Sequence, residues 1–360
     1  MKVLLLSCST GGGHNSCAHY IEDELKGQNI ECDFYDFFDI VNEKAKDLSS
    51  KVYLKTLGSN GKVFSNFYKI GEIYSKTKIK SPVYLINSLH KKKLFDFIKN
   101  NNYDLIITTH LFPALALTAI NKDKKCSKIN FIFVATDYEP CPFMEETNPD
   151  YFVMQKGIEE RFIEKGIEKN KLLNFGIPIS SNFINKAKNI RNNYNITNEK
   201  VILIMLGSMG FGNIEESINH ILKENVKIII VCGSNKTLYE KLKKQNNNNL
   251  IVLGFVHNIN DLIYSSDLVI SKPGGLSSTE IASLRKPLIH VFPIPGIETY
   301  NTTFFENHGL SKKCENNNEL LKLIDELLIS ENSDKMIECQ KKYINKHSAK
   351  DLIDFIIKTY

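Results

Sequence analysis

The stretch Ser271-Lys272-Pro273-Gly274-Gly275-Leu276-Ser277-Ser278-Thr279-Glu280 decides the fold, because it joins a buried strand to a helix through paired glycines. The apolar run from Asp267 to Ile270 is typical of a parallel strand, and Ile281 to Leu284 continues a helix. Gly274 and Gly275 permit a tight turn and a close approach to a ligand. The first N–H groups of the helix then face an anion. The same turn also occurs in doubly wound folds without a ligand, and both interpretations stay open here.

Glu280 favours a nucleotide over a bare phosphate at this turn. A carboxylate about one turn into the helix would repel phosphate, whereas it suits the vicinal hydroxyls of a ribose. A second loop, Pro293 to Asn301, follows the apolar strand Leu288 to Phe292 and opens another helix. We expect the two loops to lie side by side at the carboxyl edge of one sheet, where such folds bind ligands.

The composition is that of an ordinary globular protein, with 360 residues, 42% hydrophobic and 24% charged residues, and a net charge of +5. This length predicts two domains. The eight cysteines form no Cys-x-x-Cys pair, which is typical of reduced thiols in a cytosolic protein. The N-terminus does not resemble a signal peptide, and no apolar stretch reaches the roughly 18–20 residues that span a bilayer. We therefore expect a soluble or peripheral protein.

A glycine loop near the N-terminus contains the best catalytic candidate. The segment from Thr10 to Ser16 includes Gly12, Gly13 and His14 between an apolar strand and a helix. Its glycines lack the Gly-x-Gly-x-x-Gly spacing of a dinucleotide site. The sequence predicts a catalytic role for His14, with capping or packing as the alternative.

Two further candidates follow apolar strands in the first half of the chain. His110 ends the run from Asp104 to Thr109, and Asp137 ends the run from Asn130 to Thr136. Residues just past parallel strand ends face the ligand crevice. The chain has no Asp-x-Asp motif and no histidine cluster at ligand spacing, so we expect no tightly bound metal.

Alternating strands and helices predict an α/β fold with two Rossmann-like domains facing each other across a cleft. The polar segment from Ser181 to Glu199 is the predicted boundary. We expect an N-terminal domain over 1–182, completed by a helix at about 340–360, and a C-terminal domain over 198–335. A third glycine loop, with Gly207, Ser208 and Gly210, opens the second domain.

The segment from Glu43 to about Asn100 is rich in aromatic residues and lysines. Seven lysines and one acid occur between Lys76 and Lys99. Aromatics at helical spacing favour a core, but beside these lysines they also suit a lip on an anionic membrane. The basic stretch accompanies no nucleic-acid-binding motif, so nucleic acid is not an expected partner.

Four motifs occur in order along nearly the whole chain. They are Gly11-Gly12-Gly13-His14, Gly176-Ile177-Pro178-Ile179, Lys272-Pro273-Gly274-Gly275 with Glu280, and Pro293-x-Pro-Gly296-x-Glu298-x-x-Asn301-x-x-Phe304-Phe305. Together they resemble the processive diacylglycerol glycosyltransferases and the plant monogalactosyldiacylglycerol synthases, distant relatives of the lipid II glycosyltransferase. The resemblance implies a GT-B fold, a UDP-sugar donor on the C-terminal domain, inversion at the sugar carbon and a diacylglycerol acceptor. Together with the lysine-rich stretch and the lack of an apolar run long enough to span a bilayer, it leads us to expect a peripheral enzyme on the cytoplasmic face of the cell membrane, with UDP-sugar, diacylglycerol and an anionic membrane surface as partners and no cofactor.

The resemblance assigns roles by position. His14 matches the general base, and from its place just past a strand end we expect Asp137 to orient His14 or the acceptor. The donor-binding positions are Gly207, Ser208, Gly210, Phe255, Val256, Pro273, Gly274, Gly275, Leu276, Ser277, Glu280, Gly296, Glu298 and Asn301. The acceptor-side positions are Gly12, Gly13 and His110. Ile297 stands where many members carry glutamine, which leaves the choice between glucose and galactose open.

Three alternatives remain at this point. A UDP-sugar 2-epimerase shares the two-domain fold and needs no lipid. A nucleotide-sugar sensor would bind without turnover. An N-acetylglucosaminyltransferase acting on a lipid-linked cell-wall precursor is the nearest competitor, and the long aromatic, lysine-rich insertion favours diacylglycerol over it.

Overall fold

A computed structural model describes residues 1–9, 12–41, 80–205, 218–219, 221–222 and 226–360. The chain divides into two compact units. The first comprises Met1–Ser181, Ile294–Ile297 and His347–Tyr360, and the second comprises Asn182–Pro293 and Glu298–Lys346. Each unit contains a six-stranded parallel sheet among its described residues. The predicted α/β class is confirmed.

The strands follow the apolar runs of the sequence. The first sheet, in the order β2-β1-β3-β4-β5-β6, consists of β1 (Lys2–Ser7), β2 (Glu31–Asp36), β3 (Leu105–Thr108), β4 (Phe131–Val134), β5 (Tyr151–Val153) and β6 (Leu172–Leu173). The second, in the order β12-β11-β10-β7-β8-β9, consists of β7 (Lys200–Met205), β8 (Val226–Val231), β9 (Leu250–Leu253), β10 (Leu268–Ser271), β11 (Leu288–His290) and β12 (Lys312–Lys313). Both β3 and β4 are buried along their whole length, as expected of central parallel strands.

Helices alternate with these strands. They are α1 (Gly12–Gly27), α2 (Phe37–Val41), α3 (Pro82–Ser88), α4 (Lys91–Asn100), α5 (Leu111–Lys122), α6 (Glu159–Glu164), α7 (Ser181–Asn185), α8 (Lys236–Lys243), α9 (Ile259–Ser265), α10 (Gly275–Ser283), α11 (Ile297–Asn307), α12 (Asn317–Leu328), α13 (Ser330–Tyr343) and α14 (Ser348–Thr359). Single 3₁₀ turns occur at Met144–Glu146, Lys169–Lys171 and Arg191–Tyr194.

Two predicted strands are shorter in the structure than in the sequence analysis. The apolar run from Leu172 to Ile179, which predicts a strand, pairs as β6 only over Leu172–Leu173. Farther along the run, Gly176 adopts a positive φ of 96° and Pro178 has no N–H to donate, so the chain does not continue as a strand there. The run from Leu288 to Phe292 ends at His290, since Phe292 has a φ of 49° that an extended strand does not permit. Both breaks release the chain into loops that carry family motifs.

The last helix is anchored to the first unit through a serine at its start. The Ser348 hydroxyl donates to the carbonyl oxygen of Ile177 at 2.8 Å and accepts the N–H of Ile179 at 3.0 Å. The helix α14 also packs on α1. The segment Gly176-Ile177-Pro178-Ile179 is therefore held by hydrogen bonds from the C-terminal end of the chain.

A half-buried ion pair holds the start of the second sheet. The Arg191 guanidinium contacts a carboxylate oxygen of Asp267 at 2.6 Å, and the same oxygen accepts the N–H of Val201 at 2.7 Å. The Arg191 side chain also donates to the carbonyl oxygen of Ser265 at 2.8 Å. These contacts tie the polar segment that precedes β7 to the beginnings of β7 and β10.

Candidate active site

His14 is the third residue of α1, and its half-buried ring is fixed by two neighbouring strand ends. Its Nδ1 atom lies 2.8 Å from the carbonyl oxygen of Thr109 and 3.0 Å from the hydroxyl of Thr136. Because a carbonyl oxygen only accepts, Nδ1 carries the proton in this arrangement and Nε2 keeps its lone pair. The ring therefore has the tautomer of a general base acting through Nε2.

The sheet order explains why these residues meet. The strands β1, β3 and β4 are adjacent, so the residues that follow them lie at one edge. Thr109 follows β3, Thr136 follows β4, and α1 follows the loop after β1. The Thr109 hydroxyl also donates to the main-chain oxygen of His14 at 3.0 Å, which ties α1 to this edge a second time.

The electrostatics of His14 suit a base that is neutral when it acts. Burial lowers the pKa of His14 below its ordinary 6.5, and the charge of Asp137 together with the Thr109 hydrogen bond opposes that shift. Asp137 directly follows Thr136, so the two residues predicted to be catalytic act on each other electrostatically. A neutral imidazole beside a carboxylate can accept a proton and have the resulting charge stabilised.

His110 stands beside this pair as a structural residue of the edge. Its ring meets that of His14 edge-on, with 4.8 Å between centroids, and its Nδ1 accepts the N–H of Phe112 at 3.2 Å. It thereby caps α5. Burial, and then the neighbouring His14, hold the pKa of His110 well below its ordinary value. His110 is thus a neutral neighbour of His14, and an acceptor-side role for His110, Gly12 and Gly13 stays a prediction.

Thr109 and Thr136 were not among the residues singled out from the sequence. Each ends a predicted strand, directly before His110 and Asp137 respectively. Their position at the carboxyl edge of the sheet was the feature of the sequence that could have indicated a place in the site. Threonine at a strand end is too common to indicate catalysis without the histidine that it contacts.

In the second unit, α10 begins at the paired glycines with an open N-terminus. Gly274 occupies the N-cap position in an extended conformation, with φ −67° and ψ 138°. A Cβ atom at Gly274 would meet only the Ser277 hydroxyl, 4.0 Å away, so the space beside the turn is open. Because glycine brings no side-chain cap, the first-turn N–H groups are available to an anion.

The donor-side residues near this helix are mostly buried. Pro273, Leu276, Glu280 and Asn301 are buried, and Ser277 and Glu298 are half-buried. The Asn301 amide donates to the carbonyl oxygen of Pro273 at 2.9 Å, so α11 holds the loop before α10. Lys272, on this loop, was given no role in the sequence analysis. Burial lowers the pKa of Lys272, and the carboxylate of Glu298 opposes that shift.

The remaining donor-side predictions lie at other loops. Phe255 follows β9 and is 68% exposed, beside half-buried Val256. Gly296 adopts a φ of 114°, which L side chains rarely reach, in the turn that precedes α11. Gly207, Ser208 and Gly210 fall outside the described residues. Their roles, like those of the other donor positions, stay predictions.

The described part of the chain contains no group of three or more His, Cys, Asp or Glu side chains placed to hold a metal ion. Within the same residues, no helix has the length and apolar character needed to cross a bilayer.

Comparison with known proteins decides the family. Residues 14–179 match the model of monogalactosyldiacylglycerol (MGDG) synthase, and residues 201–356 match the glycosyltransferase family 28 C-terminal domain. A relative from Bacillus pumilus, named processive diacylglycerol beta-glucosyltransferase, is 31% identical, with 99% of this chain and 94% of the relative covered. The chain belongs to the diacylglycerol glycosyltransferase family. The resemblance expected from the four motifs is thereby confirmed.

Solved structures show that this family member has the GT-B glycosyltransferase fold. MurG from Acinetobacter baumannii superposes with a TM-score of 0.62 at 14% identity, covering 99% of both chains. The UDP-GlcNAc 2-epimerase from Neisseria meningitidis gives a TM-score of 0.65 at 14% identity over 100% of both chains. At such identities the likeness establishes the fold alone, because one fold hosts several chemistries.

Proposed function

We propose that this diacylglycerol glycosyltransferase family member transfers glucose from UDP-glucose to the free hydroxyl of diacylglycerol, with inversion at the sugar carbon. Support for the lipid acceptor comes from the family and from the Bacillus pumilus relative, whose name also specifies glucose. Galactose is the alternative sugar, since the N-terminal half matches the MGDG synthase model.

The observation that carries the proposal is the orientation of His14. Its Nδ1 proton is engaged by Thr109 and its pKa is lowered, so Nε2 is unprotonated at neutral pH. Nε2 accepts the proton of the acceptor hydroxyl as the oxygen attacks the sugar carbon. A positioned base of this kind typically contributes ~10²–10⁴-fold in rate. Asp137 stabilises the imidazolium that forms.

The departing diphosphate needs positive charge, and the second unit supplies oriented dipoles. The N-terminus of α10, with Gly274 and Gly275 at its start, directs main-chain N–H groups toward the phosphates. Lys272, on the loop before this helix, adds a partly buried cation. Glu280 holds the ribose hydroxyls. These groups offset the charge that develops as the bond from the sugar to the diphosphate breaks.

An apolar face on α3 suits contact with the membrane that contains diacylglycerol. Leu85, Ile86 and Leu89 have side chains that are 54%, 60% and 79% exposed. The opposite face of α3 is buried, with Tyr84 packed against Leu115 of α5. The exposed apolar face of such a helix can insert into the interface of a lipid bilayer.

Lysines near this face favour an anionic membrane over a protein partner. Lys80 precedes α3, and Lys92 and Lys93 follow Leu89, all with exposed side chains. A lysine close to an anionic leaflet contributes about 1 kcal/mol, and that attraction is screened by salt. These features support peripheral association with an anionic membrane surface, and the cytoplasmic face expected from the sequence stays a prediction. The aromatic residues predicted for this lip between residues 53 and 74 fall outside the described residues.

The test is transfer of radiolabelled UDP-glucose and UDP-galactose, supplied separately, to diacylglycerol in anionic vesicles. We expect label in a lipid product from UDP-glucose, and a loss of roughly 10²-fold or more in His14→Ala. The matched control is His19→Ala, because His19 lies on the same helix with an exposed ring paired to Glu22 at 2.8 Å. This variant retains the wild-type rate if the loss is specific to the base.

Other outcomes would redirect the assignment. Label in lipid from UDP-galactose alone would change the sugar and leave the reaction intact. Absence of lipid product, with conversion of UDP-N-acetylglucosamine in the absence of any acceptor, would replace transfer by epimerisation. Label in a lipid-linked cell-wall precursor would show that this precursor, and not diacylglycerol, is the acceptor. Binding of UDP-sugar that survives His14→Ala, without turnover in either protein, would indicate a sensor.

A further inference from the structure

A histidine buried beneath the candidate donor site makes hydrogen bonds through both ring nitrogens. His290 is the last residue of β11 and is fully buried. Its Nε2 lies 2.9 Å from the Ser278 hydroxyl, and its Nδ1 lies 3.0 Å from the Ser311 hydroxyl. Both serines are themselves buried. The three side chains form a continuous line of two hydrogen bonds, called here the Ser278–His290–Ser311 relay.

The relay is polar without being charged. Burial lowers the pKa of His290 to about 3, so the ring is neutral at physiological pH. A neutral imidazole has one donor nitrogen and one acceptor nitrogen. One serine hydroxyl therefore donates to the ring and the other accepts from it, and the buried ring nitrogens are both satisfied. Such a network specifies one orientation of its members, because any rotation leaves a buried polar atom unpaired.

One end of the relay lies on the helix assigned to the donor diphosphate. Ser278 is the fourth residue of α10, between the paired glycines and Glu280, and its own N–H bonds the Gly274 carbonyl at 2.9 Å. In the sheet, His290 pairs with Ser271, the residue that precedes the glycine loop. The histidine is thus connected to both ends of the turn, through main-chain pairing on one side and through Ser278 on the other.

We propose that His290 is a positioning residue for the donor site, which sets the rotation of α10 through Ser278 so that the first-turn N–H groups face the diphosphate. This inference rests on the proposed function, since it assumes that UDP binds at this helix. The other end of the relay, Ser311, anchors the ring to the segment before β12. The hydrogen bond of Ser311 holds the ring at Nδ1, whereas the link from the ring to α10 runs through Ser278.

Two substitutions of His290 test the hydrogen bonds to Ser278 and to Ser311 separately. In His290→Gln the amide reaches the place of Nε2 and can still bond Ser278, whereas in His290→Asn it reaches only the place of Nδ1 and Ser311. Both variants lose the ring and its contact with Phe305, whose centroid lies 5.1 Å away. Asparagine is also one methylene smaller than glutamine, so the comparison needs a second pair of variants that leaves the packing of the ring unchanged. Ser278→Ala and Ser311→Ala form a second pair in which the ring is kept.

The experiment is calorimetric titration of UDP into the full chain, with KM measured for the UDP-sugar and for diacylglycerol. Loss of one net hydrogen bond corresponds to about fivefold in affinity. We expect His290→Asn and Ser278→Ala to raise the Kd of UDP and the KM of the UDP-sugar by that factor. His290→Gln and Ser311→Ala should stay within about twofold, and the KM of diacylglycerol should stay constant in all four.

The outcomes distinguish this inference from the function on which it rests. Equal losses in His290→Gln and His290→Asn, or unchanged UDP affinity in Ser278→Ala with glycolipid synthesis intact, would overturn the positioning role alone. Failure of the wild-type chain to bind UDP would overturn both. If the histidine variants do not fold, the serine pair decides, because a purely structural relay would lower the unfolding temperature of both serine variants without separating their UDP affinities.

Discussion

The Nδ1 atom of His14 lies 2.8 Å from the main-chain carbonyl oxygen of Thr109, although 95 residues separate the two in the sequence. A main-chain acceptor cannot be removed by substitution and cannot donate, so it fixes the protonated nitrogen of the ring. The Thr109 carbonyl, directly after β3, therefore leaves Nε2 as the unprotonated nitrogen of His14.

Thr136→Val removes the hydroxyl that lies 3.0 Å from Nδ1 and keeps the shape of the side chain. We expect a fall in kcat of about fivefold, because the ring loses one of its two orienting contacts at a net cost of roughly 1 kcal/mol. Thr109→Val is the comparison, since it keeps the carbonyl acceptor and should lose less. The measurement is steady-state transfer to diacylglycerol, and a larger loss in Thr109→Val would contradict the orienting role of Thr136.

Asp137→Asn tests the charge beside the base. The carboxylate raises the pKa of His14 against the effect of burial, so its removal lowers that pKa further. A general base works when unprotonated, which means that activity is present above the pKa and is lost as pH falls through it. We expect the acidic limb of kcat/KM to lie below pH 6.5 in the wild type and to move to lower pH in the variant.

The pH profile also has a clear opposite outcome. A limb that stays in place, or that moves to higher pH, would show that Asp137 does not act on the titration of His14. In that case any loss of rate in Asp137→Asn would arise from the acceptor and not from the base.

The triple substitution Leu85→Ser, Ile86→Ser and Leu89→Ser tests the apolar face of α3. Because each side chain is largely exposed, the change should leave the fold intact and lower binding to anionic vesicles at least about tenfold. Ile329→Ser is the matched control, since Ile329 is an isoleucine of the second unit that is 56% exposed. Cosedimentation with vesicles measures binding, and equal losses in the control would count against a membrane face at α3.

His290 also predicts a pH dependence of stability. The native ring stays neutral down to about pH 3, whereas an unfolded histidine takes up a proton near pH 6.5. Below pH 6.5 the unfolded state therefore binds more protons, and the free energy of unfolding falls as pH falls, by up to about 1.4 kcal/mol per pH unit. This contribution is fully present above pH 6.5.

Urea unfolding at about pH 7 and about pH 5 measures this effect. His290→Gln, which cannot titrate, should lose less stability between the two values than the wild type does. Equal losses in the two proteins would mean that His290 is protonated in the native state. The comparison is independent of enzymatic activity and of the identity of the donor.

The architecture was predictable because it depends on local patterns. Apolar runs of four to six residues, each followed by glycine or polar residues and a helix, indicate parallel strands wherever they occur. The helix start at Gly275 followed from the same logic, since paired glycines after a strand permit a tight turn into a helix. Where the prediction was wrong, as in the lengths of the strands at Leu172 and Leu288, each run contains a residue with positive φ, Gly176 in the first and Phe292 in the second, and the first also contains Pro178.

The family motifs in the sequence identified His14, Glu280 and the paired glycines as candidates, and its position at a strand end identified Asp137. Residue type and position along the chain are properties of the sequence alone. The sequence did not show which nitrogen of His14 is protonated, that His110 is a helix cap, or that His290 links Ser278 to Ser311. Those facts depend on partners brought together by sheet order across long separations. Hydrogen-bond direction and burial set the chemistry of a histidine, and both come into being only when the strands have packed.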